Sequence, residues 1–291
     1  MSTGTDPSPA DAAFEAERSR LVGLAYRITG SRATAEDLVQ EAWLRWHAAD
    51  QATIDHPAAW LTTVVSRLAL DHLRSARHQR EAYVGPWLPE VVAADPGPDE
   101  QAELAESLTV GFLAVLERLG PTERVVFLLA DVFRVPFEEI AEVVDRSPAA
   151  CRQVASRARA RVAAERPRFA PTDAQAWEVT AAFLAAAQVG DLDSLVALLA
   201  EDAVALSDGG ARRHAARRPI VAERIPRFVA NLAKRLPDDA EVEPRALNGQ
   251  PGIVVRQDGR AVQALAFAVA DGRVEGIYTV LNPDKLRALD P

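Results

Sequence analysis

The chain is short of several residue types, and each shortage removes a class of function. It holds one cysteine, Cys151, so no internal disulfide can form, and no Cys/His cluster has zinc-ligand spacing. The five histidines (His47, His56, His72, His78 and His214) are scattered and read as surface or helix-end residues. No metal, no cofactor and no catalytic residue is therefore expected. Lys234 and Lys285 are the two lysines; the remaining basic residues are arginine, as GC-rich coding would produce. No apolar run approaches the roughly 20 residues of a membrane span. The leading segment MSTGTDPSPADAAF has neither the basic region nor the apolar core of a signal peptide. A cytoplasmic chain with no membrane partner is expected.

What is present suits packed domains. The 291 residues are enough for two or three, and a hydrophobic fraction of 48% is that of globular units. The formal charge of −9 argues against a protein that coats nucleic acid indiscriminately. The charge is segregated, however. Between Arg146 and Arg168 about seven arginines face one glutamate, whereas Glu90 to Glu106 carries about six acids and no base. A local basic patch is all that phosphate contact needs.

The most telling stretch is Phe137 to Val162, which reads as two helices joined by a tight turn. Phe137, Ile140, Ala141 and Val144 fall at i, i+3, i+4, i+7 and make one buried face. Asp145-Arg146 form the turn. Ser147 can then N-cap a second helix with Pro148 at its first position. On that helix Cys151, Val154, Ala155, Ala158 and Val162 point inward, leaving Arg152, Gln153, Ser156, Arg157, Arg159 and Arg161 on other faces. A partner-held helix with small residues at its start and guanidinium groups along its exposed side fits a DNA major groove. A solvated helix whose arginines only confer solubility has the same spacing.

Residues 10–80 read as helical throughout. Leu21, Leu24, Ala25 and Ile28 form a stripe ending near Gly30. Thr34 is expected to cap a second helix through Trp46, with Glu36 and Asp37 in its first turn, where the dipole favours acids. His56-Pro57 opens a third, with Trp60, Val64, Leu68 and Leu73 as apolar positions and a basic end at Arg67, Arg74, Arg77, His78 and Arg80. Residues 81–106, rich in proline, glycine and acid, read as a linker. Its apolar island Trp87-Leu88-Pro89 is expected to dock on something. Helices resume near Leu104 and continue to about Arg166. Residues 172–291 differ: helices over Asp173 to Val189, Asp191 to Leu199 and Ile220 to Leu236 precede four runs of strand character. Those runs are Glu241 to Leu247, Gly252 to Gln257, Val262 to Val269 and Val274 to Leu281. The breaks Asn248-Gly249, Asp258-Gly259 and Asp271-Gly272 are hairpin-turn chemistry.

Three motifs in order, AEDLVQEAWLRW (Ala35 to Trp46), WLTTVVSRLALDHLRSAR (Trp60 to Arg77) and EEIAEVVDRSPAACRQVASRARAR (Glu138 to Arg161), closely resemble bacterial sigma factors of the extracytoplasmic-function class. The resemblance covers about residues 10–166. It implies a multidomain fold: an all-α domain over 10–80 corresponding to sigma region 2, the linker, and a second all-α domain over 107–167 corresponding to region 4 with its helix-turn-helix. The implied partners are the RNA polymerase core enzyme and promoter DNA. Asp37, Leu38, Gln40 and Glu41 match the core polymerase-binding segment. Arg67, Asp71, Arg74, Arg77 and Arg80 match the segment that faces the minus-10 element. Arg146, Ser147, Ala149, Arg152, Gln153, Ser156, Arg157 and Arg159 are the candidates for reading the minus-35 element.

The tail, residues 172–291, resembles the SnoaL-like, polyketide-cyclase-type cone: an α+β unit with helices over one face of a curved antiparallel sheet. In a subgroup of sigma factors with this tail, a WLPEP-like linker motif, a DGGGR-like motif and a terminal NPDKL recur. Here they stand as WLPEV (Trp87 to Val91), DGGAR (Asp208 to Arg212) and NPDKL (Asn282 to Leu286). Val91 and Ala211 are departures. The resemblance implies a regulatory contact built from Trp87, Leu88, Pro89, Asp208, Gly209, Gly210, Arg212, Asn282, Pro283, Asp284, Lys285 and Leu286. Other readings of the tail remain. One is an enzyme of cyclase or isomerase type, with Asp208 or Asp202 as base and no evident partner beyond His214 in an arginine-rich loop. Another is a pocket that senses a small-molecule ligand without turnover. A helix-turn-helix repressor with an effector domain explains the later two-thirds but not AEDLVQE.

Overall fold

A computed structural model describes residues 9–81, 83, 85–93, 109–165 and 174–290. The chain divides into two compact units, Met1–Gln79 with Leu119–Ala163 and Arg80–Arg118 with Ala164–Pro291.

The first unit is helical. Helices α1 (Pro9–Thr29) and α2 (Arg32–Ala48) pack along their lengths, followed by α3 (Pro57–Glu81). The expected stripe Leu21, Leu24, Ala25 and Ile28 is fully buried. Gly30 ends α1 with a positive φ of 71°, and the chain restarts at Ser31. Ser31, not Thr34, caps α2: its backbone is extended and its hydroxyl accepts from the Thr34 amide at 3.2 Å. Thr34 already lies inside the helix. Glu36 and Asp37 accordingly fall beyond the first turn, where Glu36 pairs with Arg32 at 2.7 Å. The buried face of α3 is also displaced by one residue. Leu61, Val65, Ala69, Leu70 and Leu73 are buried, while Trp60, Val64 and Leu68 are half-buried. Both rows have helical spacing, so periodicity alone could not choose between them. Trp60 still packs, its ring tilted against the buried Trp46 ring at 5.5 Å between centroids.

The same unit contains α5 (Pro121–Phe127), which runs into a π-helical turn over Leu128–Val132, and the pair α6 (Phe137–Val144) and α7 (Pro148–Glu165). Three arginines tie this part to the first helices. Arg124, 3% exposed, donates to the Ile28 carbonyl at 3.0 Å. The buried Arg27 guanidinium lies 5.6 Å from the Phe133 ring centre, and Arg67 donates to the Glu142 carbonyl at 2.8 Å.

The second unit is built on one six-stranded sheet of order β2-β1-β6-β5-β4-β3. In chain order its elements are α4 (Val110–Leu116), α8 (Ala174–Val189), α9 (Leu192–Leu198), β1 (Leu199–Asp208), β2 (Ile220–Val221), α10 (Ile225–Ala233), β3 (Glu241–Pro244), β4 (Gly252–Gln257), β5 (Arg260–Ala270), β6 (Arg273–Val280) and α11 (Pro283–Leu286). The three expected turns are present, each with positive φ at both central residues, the geometry that suits the right-handed twist of a hairpin. Two features depart from the sequence reading. Strand β1 follows α9 with no breaker between them, so its residues were not recognised as a strand. It pairs parallel with β6, making the sheet mixed and not wholly antiparallel. The expected helix from Ile220 begins instead as the short edge strand β2, antiparallel to β1.

Both faces of the sheet are covered. On one, α8, α9 and α10 pack with Leu265, Phe267, Val269, Val274 and Ile277 in a single core. On the other, Val254, Ala264, Ala266, Ala268, Tyr278 and Val280 pack against Leu88 and Val91 of the linker and Val110 of α4. Strand β5 is therefore buried on both sides from Gln263 to Ala270. A sheet covered by its own helices alone would have left the second face wet.

Candidate functional site

The basic helix is assembled locally. Asp145 adopts the left-handed conformation (φ 54°), ends α6, and turns the chain sharply. The Ser147 hydroxyl then accepts from the Ala150 amide at 3.2 Å and caps α7. The inward stripe Cys151, Val154, Ala155, Ala158 and Val162 is buried. Burial pushes the Cys151 thiol up against the opposing pull of Arg146 and Arg152, which keeps this packed sulfur in its unreactive thiol form. Arg146, Ser147, Ala149, Arg152, Gln153, Ser156, Arg157 and Arg159 are all exposed. They fall into two electrostatic classes. Arg152 bridges Glu138 at 3.0 Å and Arg159 bridges Asp131 at 2.7 Å. Arg146 and Arg157 have no ion pair among the described residues.

On α2, Asp37 and Gln40 are exposed and Leu38 and Glu41 half-buried, with Glu41 bridging Arg45 at 3.0 Å. Leu44, one turn on, is 51% exposed. Sequence reasoning did not single it out, although an apolar side chain left outside the stripe Ala35, Val39, Ala42, Trp46 was a usable signal. On α3, Arg74 lies 3.5 Å from Asp71, and both are exposed; Arg67 is held by the Glu142 carbonyl. The side chains of Arg77 and Arg80 lie outside the described residues.

The second constellation lies inside the sheet unit. At its centre is the Asp208 carboxylate, at the end of β1 and fully buried. It accepts from Lys285 Nζ at 2.7 Å, the Leu88 amide at 2.8 Å, the Gly210 amide at 3.0 Å and the Tyr83 hydroxyl at 2.5 Å. Lys285 also donates to the Leu88 carbonyl and sits 3.7 Å from the Trp87 ring centre and 5.2 Å from that of Tyr83. An ammonium withdrawn from water thus meets a carboxylate, a carbonyl and two aromatic faces, which together replace its hydration. Asn282 caps α11 by accepting from the Asp284 amide at 3.1 Å, and its amide donates to Tyr83 Oη at 2.9 Å. Burial, and then the neighbouring Asp208 carboxylate, pushes the Tyr83 hydroxyl above the usual phenol range, so it stays a donor.

The glycines are required by this arrangement. A Cβ on Gly209 would lie 2.3 Å from the Arg213 carbonyl oxygen; one on Gly210, where φ is 58°, would lie 2.8 Å from the Asn282 side chain. Pro89 and Leu286 are buried alongside, and Val91 fills the apolar core fully buried. Pro283 occupies the first position of α11. Arg212 and Ala211 remain exposed, with Arg212 4.0 Å from Asp284. Two further polar groups hold the linker and were not anticipated. Asn248 exchanges two hydrogen bonds with Val92, each 2.9 Å. Gln250 accepts from the Val110 amide at 2.9 Å. Tyr83, too, was missed; its signal was an aromatic residue close to Trp87 in an otherwise polar stretch.

The groups once considered for acid–base chemistry do not converge. Asp208 is committed to Lys285, Asp202 is exposed on β1, and His214 lines a separate polar recess of the loop Gly210 to Arg217. Among the described residues no group of three or more His, Cys, Asp or Glu could hold a metal, and no helix is long and apolar enough to cross a membrane.

Comparison with known proteins agrees with this layout. Residues 13–79 match the family Sigma-70 region 2, and residues 110–162 match Sigma-70, region 4. The chain is 44% identical over 286 residues to the ECF RNA polymerase sigma factor SigJ of Mycobacterium tuberculosis, covering 94% of this chain and 91% of that protein. It is 33% identical over 285 residues to the probable ECF RNA polymerase sigma factor SigI of the same species, covering 97% and 96%. The crystal structure of the M. tuberculosis extracytoplasmic function sigma factor SigJ superimposes with a TM-score of 0.76 at 39% identity, over 96% of this chain and 99% of that one.

Proposed function

Given that this chain belongs to the ECF RNA polymerase sigma factors, and so directs core polymerase to promoters and initiates transcription there, we propose that its SnoaL-like unit regulates that activity by gripping the linker between regions 2 and 4. The observation that carries this reading is the Asp208–Lys285 pair, which is buried and spends its hydrogen bonds on the main chain of Leu88. A charged pair withdrawn from water is retained only where its geometry is well satisfied, and here the satisfying partners belong to the linker. Docking removes conformational freedom from the segment that joins the two promoter-binding regions. The DNA-competent arrangement is then weighted by whether the linker is held or released, a two-state bias.

In this reading Asp37, Leu38, Gln40 and Glu41, with the exposed Leu44, meet core polymerase. Arg67, Asp71, Arg74, Arg77 and Arg80 serve the minus-10 element. The α7 residues Arg146, Ser147, Ala149, Arg152, Gln153, Ser156, Arg157 and Arg159 serve the minus-35 element, with Arg146 and Arg157 available to bases without first surrendering a carboxylate. The chain acts in the cytoplasm, where its polymerase is, and catalyses no reaction of its own. The committed state of Asp208 supports that last point, since the one buried candidate base is already neutralised by Lys285.

Run-off transcription with core enzyme and the protein's own upstream region tests the proposal. Deleting everything after Pro171 and deleting only the residues after Asn282 should give different outputs, because the first removes the docking surface and the second only the Lys285 half of the lock. Identical outputs from the two truncations would defeat the regulatory reading while leaving sigma activity itself in place.

A further inference from the structure

The sheet face opposite the linker holds a cavity of about 250 Å³, between α8, α10 and strands β3, β4 and β5. Its walls are apolar: Leu184 from α8, Leu232 and Leu236 from α10 and the turn after it, Val242 from β3 and Ile253 from β4. No titratable side chain lines it. One polar group does so from within. Gln263 on β5 is 6% exposed and lines the cavity, and its carboxamide makes no side-chain hydrogen bond among the described residues. Neighbours on the same face of β5, Leu265 and Phe267, are packed into the core, so Gln263 interrupts an otherwise apolar row.

A buried amide without a partner costs about 1–3 kcal/mol unless water or a ligand satisfies it. Its retention here sets the chemistry of the occupant. The absence of lining charge disfavours an ionic molecule, whose desolvation nothing would repay. The apolar walls favour a hydrocarbon body, and the carboxamide accepts or donates one hydrogen bond.

We propose that this cavity binds a small, neutral, largely hydrocarbon molecule carrying one hydrogen-bonding group, such as a hydroxyl or carbonyl, that pairs with Gln263. No acid–base pair faces the space, so the molecule is bound and released unchanged. Strands β4 and β5 carry the cavity on one face and the linker contacts Val254, Ala264 and Ala266 on the other. The binding claim does not depend on the regulatory reading above and is tested without transcription.

The probe is N-phenyl-1-naphthylamine, neutral and fluorescent in apolar surroundings, titrated into the full-length chain. It should bind one to one and be displaced by 1-decanol, with decanoate, the same chain bearing a charge, at least about tenfold weaker. Gln263→Leu should keep the cavity and lower 1-decanol affinity about two- to tenfold, the loss of one hydrogen bond. Ala185→Phe, at an exposed position of the rim, should block probe binding while circular dichroism shows the fold intact. The proposal is overturned by no fluorescence rise with folded protein, by decanoate matching 1-decanol, by unchanged 1-decanol affinity in Gln263→Leu, or by unchanged binding in folded Ala185→Phe. A dimer whose formation abolishes the probe signal would give the cavity to a second copy of the chain, and would equally overturn it.

Discussion

The cations of α7 and the cation of α11 obey opposite rules. Along α7, Arg146, Arg152, Arg157 and Arg159 stand in solvent, and such pairs as they form are surface ion pairs. Pairs of that kind contribute about 0–1 kcal/mol and are screened by salt. Lys285 is 8% exposed and bound on all sides by groups of its own unit. Water competes for the first set and not for the second. An exposed guanidinium can therefore be given over to a phosphate or a base edge at little expense to the fold. The buried ammonium can serve only the fold and the linker docked against it. One unit keeps its charge for an external partner, and the other has turned its charge inward.

The largest expected effect breaks the inward-turned member. Lys285→Met leaves the Asp208 carboxylate buried without its cation and should lower stability by about 3–5 kcal/mol, read as a shift in the urea midpoint of the sheet unit. Removing both charges, in Lys285→Met with Asp208→Leu, should recover part of that loss. A double variant as unstable as the single would show that the loss comes from packing and not from an orphaned charge.

An intermediate effect sharpens the contrast within α7. Arg146→Ala and Arg157→Ala should each weaken binding to a cognate minus-35 duplex by about 1–3 kcal/mol where the contact is bidentate to guanine. Arg152→Ala and Arg159→Ala should weaken it less, since those side chains must first leave Glu138 and Asp131. Anisotropy titrations at several salt concentrations check this, and thermal melts should show all four variants close to the parent in stability. Equal losses across the four would erase the distinction between engaged and unengaged arginines.

The smallest effect belongs to His47. Its two ring nitrogens face the Trp43 carbonyl at 3.0 Å and the Asp11 carboxylate at 2.7 Å, two acceptors that only the imidazolium can satisfy together. The backbone bond to Trp43, and then the bond to Asp11, raise its pKa above the ordinary histidine value. The contribution is fully present below the unfolded pKa and fades as pH rises through the raised folded one. Amide exchange in the first turns of α1 should therefore quicken over that window in the parent and show no such step in His47→Gln.

How much was legible follows from how local each feature is. The helix-turn-helix could be read in detail because its stripe, turn and cap all lie within the stretch Phe137 to Val162, and every inward residue named there is buried. The hairpins were legible for the same reason, since Asn-Gly and Asp-Gly carry their own φ preference. Strand β1 was not legible. Its partner β6 lies far along the chain and runs parallel to it, and Leu199 passes from helix to strand without a breaking residue. Likewise Trp87-Leu88-Pro89 announced that it would dock, but its surroundings come from Tyr83, Asp208, Asn282 and Lys285, which no periodicity connects.

By itself the sequence determined the two helical modules, the hairpin turns and the placement of arginine on one exposed helix, because those depend on neighbours within a few residues. Only the tertiary structure decided that the sheet has two covered faces, that Lys285 is buried on Asp208, and that Gln263 faces a cavity without a partner. Burial is a property of what arrives from elsewhere in the chain, and it alone turns a charge or an amide from a solvated group into one that must be satisfied.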